Sequence, residues 1–182
     1  MRIGINLVGV SFNDGKTGRY RNYKDALDGF NTHIINPLKE QGHEIVYYLY
    51  TYDSPYKQEI INTYSPTIKS TFTDPSDNTK GGGDRVGSGM KTISENYIRS
   101  LEQIKDEPND VIISTRFDIS FTKNVFEEFD FDFTKCNYLW REPELTHVPI
   151  VSDTFIVFPQ HMTQNLINSI HRMETDPPHG VS

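Results

Sequence analysis

Through residue 121 the chain alternates β-prone runs with segments of helical period, and that alternation restricts the fold more than any other feature. Arg2 to Val10 is a short β-prone run ending at Gly9-Val10, followed by a polar loop, Ser11 to Asn22, that contains Gly15 and Gly18. From Tyr23 to Gln41, apolar residues recur in helical register at Ala26, Leu27, Phe30, Ile34 and Leu38, and Gly42 supplies a stop. Pro37, lacking an amide hydrogen, is expected to bend that helix or break it in two. Glu44 to Tyr52 reads as a buried strand closed by Asp53-Ser54-Pro55, Tyr56 to Tyr64 as a short helix, and Pro66 to Phe72 as a third strand. A Gly-rich run, Thr73 to Gly89, is long enough to suggest a lid or binding loop. A helix from Met90 to about Lys105 shows Ile93, Tyr97, Ile98, Leu101 and Ile104 on one face. Val111 to Phe121 is the next strand, and its opening Val-Ile-Ile-Ser has the continuous apolar character of a central parallel strand.

Strand, helix, strand, helix, strand, helix, strand implies an α/β fold, a three-layer α/β/α sandwich around a mostly parallel sheet. After residue 121 the character changes. Phe126 to Phe133 is aromatic and acidic, Asn137 to Arg141 and Thr154 to Phe158 read as strands, and Met162 to Met173 as a helix. At 182 residues, one core is the natural expectation, so residues 1–182 are read as a single domain. Ten Tyr, eleven Phe and one Trp argue against disorder, because burying them offsets the entropy lost on folding. A net charge of −7 disfavours a nucleic-acid partner, whose footprint would be a surplus of Lys and Arg. The single cysteine, Cys136, makes no internal disulfide and no Cys-based zinc site. The apolar stretch Ile3 to Val10 is too short to span a membrane and lacks a signal-peptide cleavage site. The expectation is a cytoplasmic protein without a transmembrane segment.

Ligands of such sheets bind beyond the carboxyl ends of the strands, so the residues that follow Val10, Tyr52, Phe72 and Ile113 are the ones to inspect. Arg116-Phe117-Asp118 leaves the most apolar strand. A carboxylate there suits a hard divalent cation, which in turn bridges phosphate oxygens. Here the sequence resembles the GT-A nucleotide-sugar glycosyltransferases, whose D-x-D motif sits at the end of such a strand; Arg116 stands where the first acid would be. The resemblance implies Asp118 as ligand to Mn²⁺ or Mg²⁺ and Arg116 as a direct contact to the diphosphate. The local alternative for Asp118 is a strand-end residue that caps a turn.

The same resemblance draws in further loops. Gly87-Ser88-Gly89-Met90-Lys91 opens the helix before the metal strand, and Arg85 and Lys91 flank it to meet a phosphate or the base. For the nucleoside, the ends of the first two strands offer Val8, Gly9, Val10 and Ser11 on one side and Thr51, Tyr52 and Asp53 on the other. Asp53 matches by position the carboxylate that accepts from the base; locally it equally fits a turn before Ser54-Pro55. Lys16, Arg19, Arg21 and Lys24 form a basic cluster that either neutralises a diphosphate or is a solvated charge run. On the acceptor side, Asp153-Thr154-Phe155-Ile156-Val157-Phe158 resembles the second conserved block of the small transferases with an R-x-D motif found in bacterial polysaccharide loci and large DNA viruses of algae. Asp153 is taken as general base with Glu142 in reserve. Trp140 is a sugar platform or core, and His179 a late metal ligand or a tail residue.

These readings combine into a metal-dependent glycosyltransferase moving a sugar from a nucleotide diphosphate, UDP-sugar favoured, to a glycan hydroxyl, inverting rather than retaining. Residues 1–121 would form the donor half and 122–182 the acceptor half, with the Pro177-Pro178-His179-Gly180 ending read as the cut edge of a longer chain. Two other classes compete. Gly9 to Thr17 nearly spells the phosphate loop G-x-x-x-x-G-K-[ST] of a nucleotide kinase or NTPase, but one residue too many separates Gly9 from Gly15. The third class is a non-catalytic carbohydrate-binding domain.

Overall fold

The computed structural model describes residues 1–16, 20–65, 69–73, 88–139 and 154–175, with the backbone alone at 88–94 and 173–175. Its centre is a six-stranded sheet built from β1 (Arg2–Val8), β4 (Glu44–Tyr52), β5 (Lys69–Thr73), β6 (Val111–Arg116), β7 (Asn137–Tyr138) and β8 (Phe155–Pro159). The spatial order is β5-β4-β1-β6-β8-β7. The first four strands in that order run parallel, whereas β8 is antiparallel to both β6 and β7. The sheet is therefore mixed and mostly parallel, as the alternating pattern predicts.

Both faces of the central strands are apolar, which parallel strands covered by helices require. Ile3, Ile5 and Leu7 of β1, Leu49 of β4, Val111 and Ile113 of β6, and Phe155 and Val157 of β8 face one core. That core is closed by Phe30 of α1 (Lys24–Phe30), by Ile34, Ile35 and Leu38 beyond it, and by Ile60 and Tyr64 of α3 (Lys57–Tyr64). The alternate residues Val8, Val46, Tyr48, Tyr50, Ile112, Ile156 and Phe158 face a second core. Tyr97, Ile98, Leu101 and Ile104 of α4 (Ser88–Ile104) and Ile167 of α6 (Thr163–Thr175) cover it. Each fully buried Leu, Ile or Phe contributes roughly 1.5–3 kcal/mol to this arrangement.

The connections explain where a ligand can sit. From β1 the chain steps outward to β4 and on to β5 with its helices on the first face, then returns on the second face through α4 to β6, on the other side of β1. A right-handed crossover forces this change of face whenever the direction of winding reverses. The reversal lies between β1 and β6, whose carboxyl ends meet at the pair Val8 and Arg116.

Several elements depart from the sequence pattern. The long first helix is interrupted by a π-helical segment, Asn31–Ile35, before α2 (Asn36–Glu40). Pro37 stands at the start of α2, and the amide of Asn36 reaches back five residues to the Asn31 carbonyl. The wider turn accommodates a position that has no hydrogen to donate. The loop after β1 contains a small antiparallel pair, β2 (Phe12–Asn13) and β3 (Arg21–Asn22). β6 ends at Arg116 instead of Phe121, because Phe117 and Phe121 turn into the first core. Of the expected third strand Lys69–Thr73 is seen, as β5; residues 66–68 lie outside the described residues, as does 74–87 of the Gly-rich run. A short α5 (Val125–Glu128), capped by the Asn124 side chain, precedes β7. Among the described residues no helix is long and apolar enough to cross a membrane.

Candidate functional site

The carboxyl ends of β1 and β6 carry the most concentrated charge chemistry of the sheet. Asp118, two residues beyond β6, has a side chain only 11% exposed. Its Oδ1 accepts from Arg116 Nε at 2.9 Å, and its Oδ2 from Arg116 Nη2 at 2.8 Å. Arg21 of β3 brings Nη1 to 2.8 Å of the same Oδ2. One carboxylate thus holds two guanidiniums from separate elements, one at the sheet edge and one on the hairpin that follows β1. The two Arg116 contacts are charge-assisted hydrogen bonds, roughly twice as strong as neutral ones, and orient that guanidinium, while Arg21 adds an ion pair.

The hairpin is fastened to the sheet from below. Gly9 leaves β1 with φ +100°, a conformation that favours glycine, and donates its amide to the Tyr50 carbonyl at 3.0 Å. Ser11 is 1% exposed; its amide donates to Thr51 Oγ1 at 3.1 Å, and Thr51 Oγ1 donates to Ser11 Oγ at 2.8 Å. The Ser11 carbonyl accepts from the Tyr23 amide at 2.8 Å. Phe12 packs on Tyr56, ring centroids 4.6 Å apart. The hairpin therefore leaves the sheet at one fixed point and delivers Arg21 to the end of β6.

These contacts sort the expected nucleoside residues. Val8 is 7% exposed, faces the second core and is flanked in the sheet by Tyr50 and Arg116, so its side chain is core. Ser11, buried against Thr51, anchors the hairpin to β4. Gly9 and Val10 remain at the strand end, and a Cβ on Gly9 would meet nothing within 4 Å, so its surroundings are open. Asp53 is half-exposed; its Oδ1 accepts from the Ser54 amide at 3.1 Å and lies 3.6 Å from Lys57 Nζ. The turn that follows is closed by Ser54, whose carbonyl accepts from the Lys57 amide at 3.1 Å and whose Oγ accepts from the Tyr56 amide at 3.3 Å. Sequence inspection missed Asn96 of α4, which donates to the Tyr52 hydroxyl at 2.5 Å; together with Gly9, Tyr50, Thr51 and Thr73 these two line a tight crevice too narrow to hold a water molecule.

The basic cluster disperses. Lys16 pairs with Asp14 and Lys24 with Glu59, leaving Arg21 as the described member that reaches a strand end; Arg19 lies outside the described residues. Lys16 is in a turn, Thr17 lies outside the described residues, and the next described helix begins at Lys24. Lys91 lies in the first turn of α4. Arg85, Trp140, Glu142, Asp153 and His179 lie outside the described residues. Thr154, which follows Asp153 in the chain, accepts through its carbonyl from Thr115 Oγ1 at 2.7 Å, beside the end of β6.

The described residues do not fit the divalent cation expected on Asp118. Both oxygens of that carboxylate already face guanidinium donors, and a Mn²⁺ or Mg²⁺ ion bound there would sit within a few ångströms of two fixed positive charges. Among the described residues no group of three or more His, Cys, Asp or Glu is gathered to hold a metal ion. Arg116 departs less from expectation, because it stands at the strand end with its guanidinium oriented by Asp118. Compared with models of known protein families the chain matches none, and no curated protein matches it.

Proposed function

We propose that this protein is a glycosyltransferase of GT-A type that moves a sugar from a nucleotide diphosphate, UDP-sugar favoured, to a hydroxyl on a glycan. The observation that supports the reading most is the Arg21–Asp118–Arg116 assembly beside the reversal point of a doubly wound sheet, where ligands of such sheets bind. α4 adds to it. Its amino terminus lies on this edge of the sheet, because the helix returns antiparallel to β6, and the orphan amides of a helix start favour anions.

The chemistry follows from charge. Cleaving the bond between sugar and diphosphate leaves negative charge on the departing oxygens, and preoriented guanidiniums stabilise that charge more as it develops than before. An acceptor hydroxyl attacking from the opposite face must lose its proton to a base. Asp153 is our choice for that role, with Glu142 in reserve, since Thr154 sits against Thr115 at the same edge. One-step displacement with such a base inverts the anomeric centre.

The test is a thermal-shift and turnover panel of UDP-, GDP- and other nucleotide sugars, with ATP as control. The reading expects a sugar nucleotide to raise the melting temperature and to be slowly hydrolysed without acceptor. Stabilisation by ATP alone, with no sugar nucleotide bound or hydrolysed, would overturn it. Binding without any hydrolysis or transfer would favour a carbohydrate-binding domain.

A further inference from the structure

We infer that the diphosphate of the donor is received by Arg21 and Arg116 directly, without a divalent cation, and that Asp118 is a positioning residue for the two guanidiniums. The inference rests on the nucleotide-sugar reading above and departs from the metal-bridged arrangement which that resemblance implies.

Three observations carry it. First, Asp118 is committed: three guanidinium nitrogens lie within 2.9 Å of its two oxygens, and the side chain is 11% exposed, so a metal ion would have to displace a guanidinium to reach it. Second, Arg21 spends only Nη1 on Asp118. Its Nε and Nη2 donors are taken by no other described residue, and its side chain is 32% exposed. A planar fork with donors to spare matches two phosphate oxygens in a way a lysine would not. Third, the two arginines arrive from separate elements. Arg116 closes β6 in the middle of the sheet, whereas Arg21 belongs to a two-residue strand of the hairpin. A phosphate bound between them would be held from the sheet and from the hairpin at once.

The assignment also explains why Arg116 replaces the first acid of the metal motif. An arginine two residues before Asp118 leaves that carboxylate neutralised within its own turn, which suits an anion in front of it and opposes a cation. No bond is made or broken in this step; the site only supplies opposite charge where the diphosphate sits.

The test is calorimetric titration of the full chain with UDP, and in parallel GDP, once in EDTA and once in Mn²⁺, on wild type, Arg21→Gln, Arg21→Lys and Asp118→Asn, each with a melting curve in the absence of nucleotide. The inference expects wild-type affinity to be the same in EDTA and Mn²⁺. Arg21→Gln should lose about tenfold or more, the order expected for a charged hydrogen-bonded contact, and Arg21→Lys should recover part of it. Asp118→Asn, which loosens both guanidiniums, should lose part of the wild-type affinity and lose it equally in EDTA and in Mn²⁺, and wild type should show no uptake of Mn²⁺ with UDP by electron paramagnetic resonance. If wild type binds only with Mn²⁺ and Asp118→Asn abolishes that binding, the inference is overturned and the transferase reading stands. If Arg21→Gln, folded as judged by its melting curve, binds in EDTA as wild type does, the inference is likewise overturned. Binding of neither nucleotide under either condition would remove the nucleotide-sugar reading and this inference with it.

Discussion

Gly29 of α1 faces the backbone carbonyl of Phe121 so closely that a Cβ at this position would stand 2.4 Å from the carbonyl oxygen and 3.0 Å from Ser120 Oγ. The first helix therefore rests directly on the segment that follows β6 and carries Asp118. Phe30, the next residue, stacks toward Phe121 at 6.3 Å between centroids, and Phe121 toward Phe155 of β8 at 5.4 Å. Gly29→Ala must push helix and segment apart, and the blocking atom is backbone, which cannot swing aside. The expected cost is about 2 kcal/mol or more, read as a lower urea midpoint at unchanged slope. On the proposed nucleotide-sugar reading, affinity should fall with it, because residues 117–121 would shift; an unchanged midpoint would show that the helix relaxes more easily than its contacts indicate.

Thr51 is expected to matter more for its hydroxyl than for its methyl. Its Oγ1 accepts from the Ser11 amide and donates to Ser11 Oγ, all buried at the root of the hairpin. Thr51→Val keeps the shape and strands the Ser11 amide, at a cost of about 1–3 kcal/mol. Thr51→Ser keeps the hydroxyl and should cost less, about 1 kcal/mol, the order of one lost methyl. Chemical denaturation ranks the two, and amide exchange at Ser11 should accelerate in the valine variant and not in the serine variant.

The elements that the sequence made legible are those whose residues meet the same environment over many positions. β4 spans Glu44–Tyr52, as its β-branched and aromatic run predicts, and α4 keeps Tyr97, Ile98, Leu101 and Ile104 on its buried face. Where local preference and tertiary packing compete, packing wins. Ile119-Ser120-Phe121 is as β-prone as the run before it, yet the sheet ends at Arg116 because Phe117 and Phe121 find a core under α1. β2 and β3 escape detection, since two residues cannot display a period. Asp118 was accessible as a strand-end acid, but its partner was not. Which of the cations near the first loop reaches it depends on the hairpin's path, and that path depends on Ser11–Thr51 and Phe12–Tyr56 contacts distant in sequence.

The second core contains a polar island at Asn6 in the middle of β1. Its Nδ2 donates to Ser100 Oγ at 3.1 Å and to Ser114 Oγ at 3.0 Å, while its buried Oδ1 has no hydrogen-bond partner among the described residues. An unsatisfied buried carbonyl is a cost that an apolar replacement removes, provided the groups it served are replaced as well. Asn6→Leu combined with Ser114→Ala should therefore be neutral or stabilising by about 1 kcal/mol, since Ser100 Oγ still donates to the Tyr97 carbonyl. Asn6→Asp keeps the size and adds a charge with no cation beside it, and should destabilise by about 3 kcal/mol or more. Paired urea titrations separate the two outcomes, and a double variant markedly less stable than wild type would mean that the island stabilises the sheet.

Glu59 joins α3 to α1 through two contacts, with Lys24 Nζ at 2.6 Å and with the Tyr23 hydroxyl, which donates at 2.9 Å. The Lys24 contact first and the Tyr23 hydroxyl second hold the Glu59 carboxyl below its ordinary value of 4.5. A depressed carboxylate binds protons less readily in the folded chain than in the unfolded one, so its stabilising contribution is complete above about pH 4.5 and is lost as pH falls through the lower folded value. Lys24 and Tyr23 do not titrate in that window, because the ordinary values of 10.5 and 10.0 are both raised in the fold. Glu59→Gln should therefore melt below wild type at pH 7, and the gap should narrow steadily as pH falls below about 4.5. A gap that stays constant with pH would show that the loss comes from packing or from the neutral hydrogen bond, and not from the ionised carboxylate.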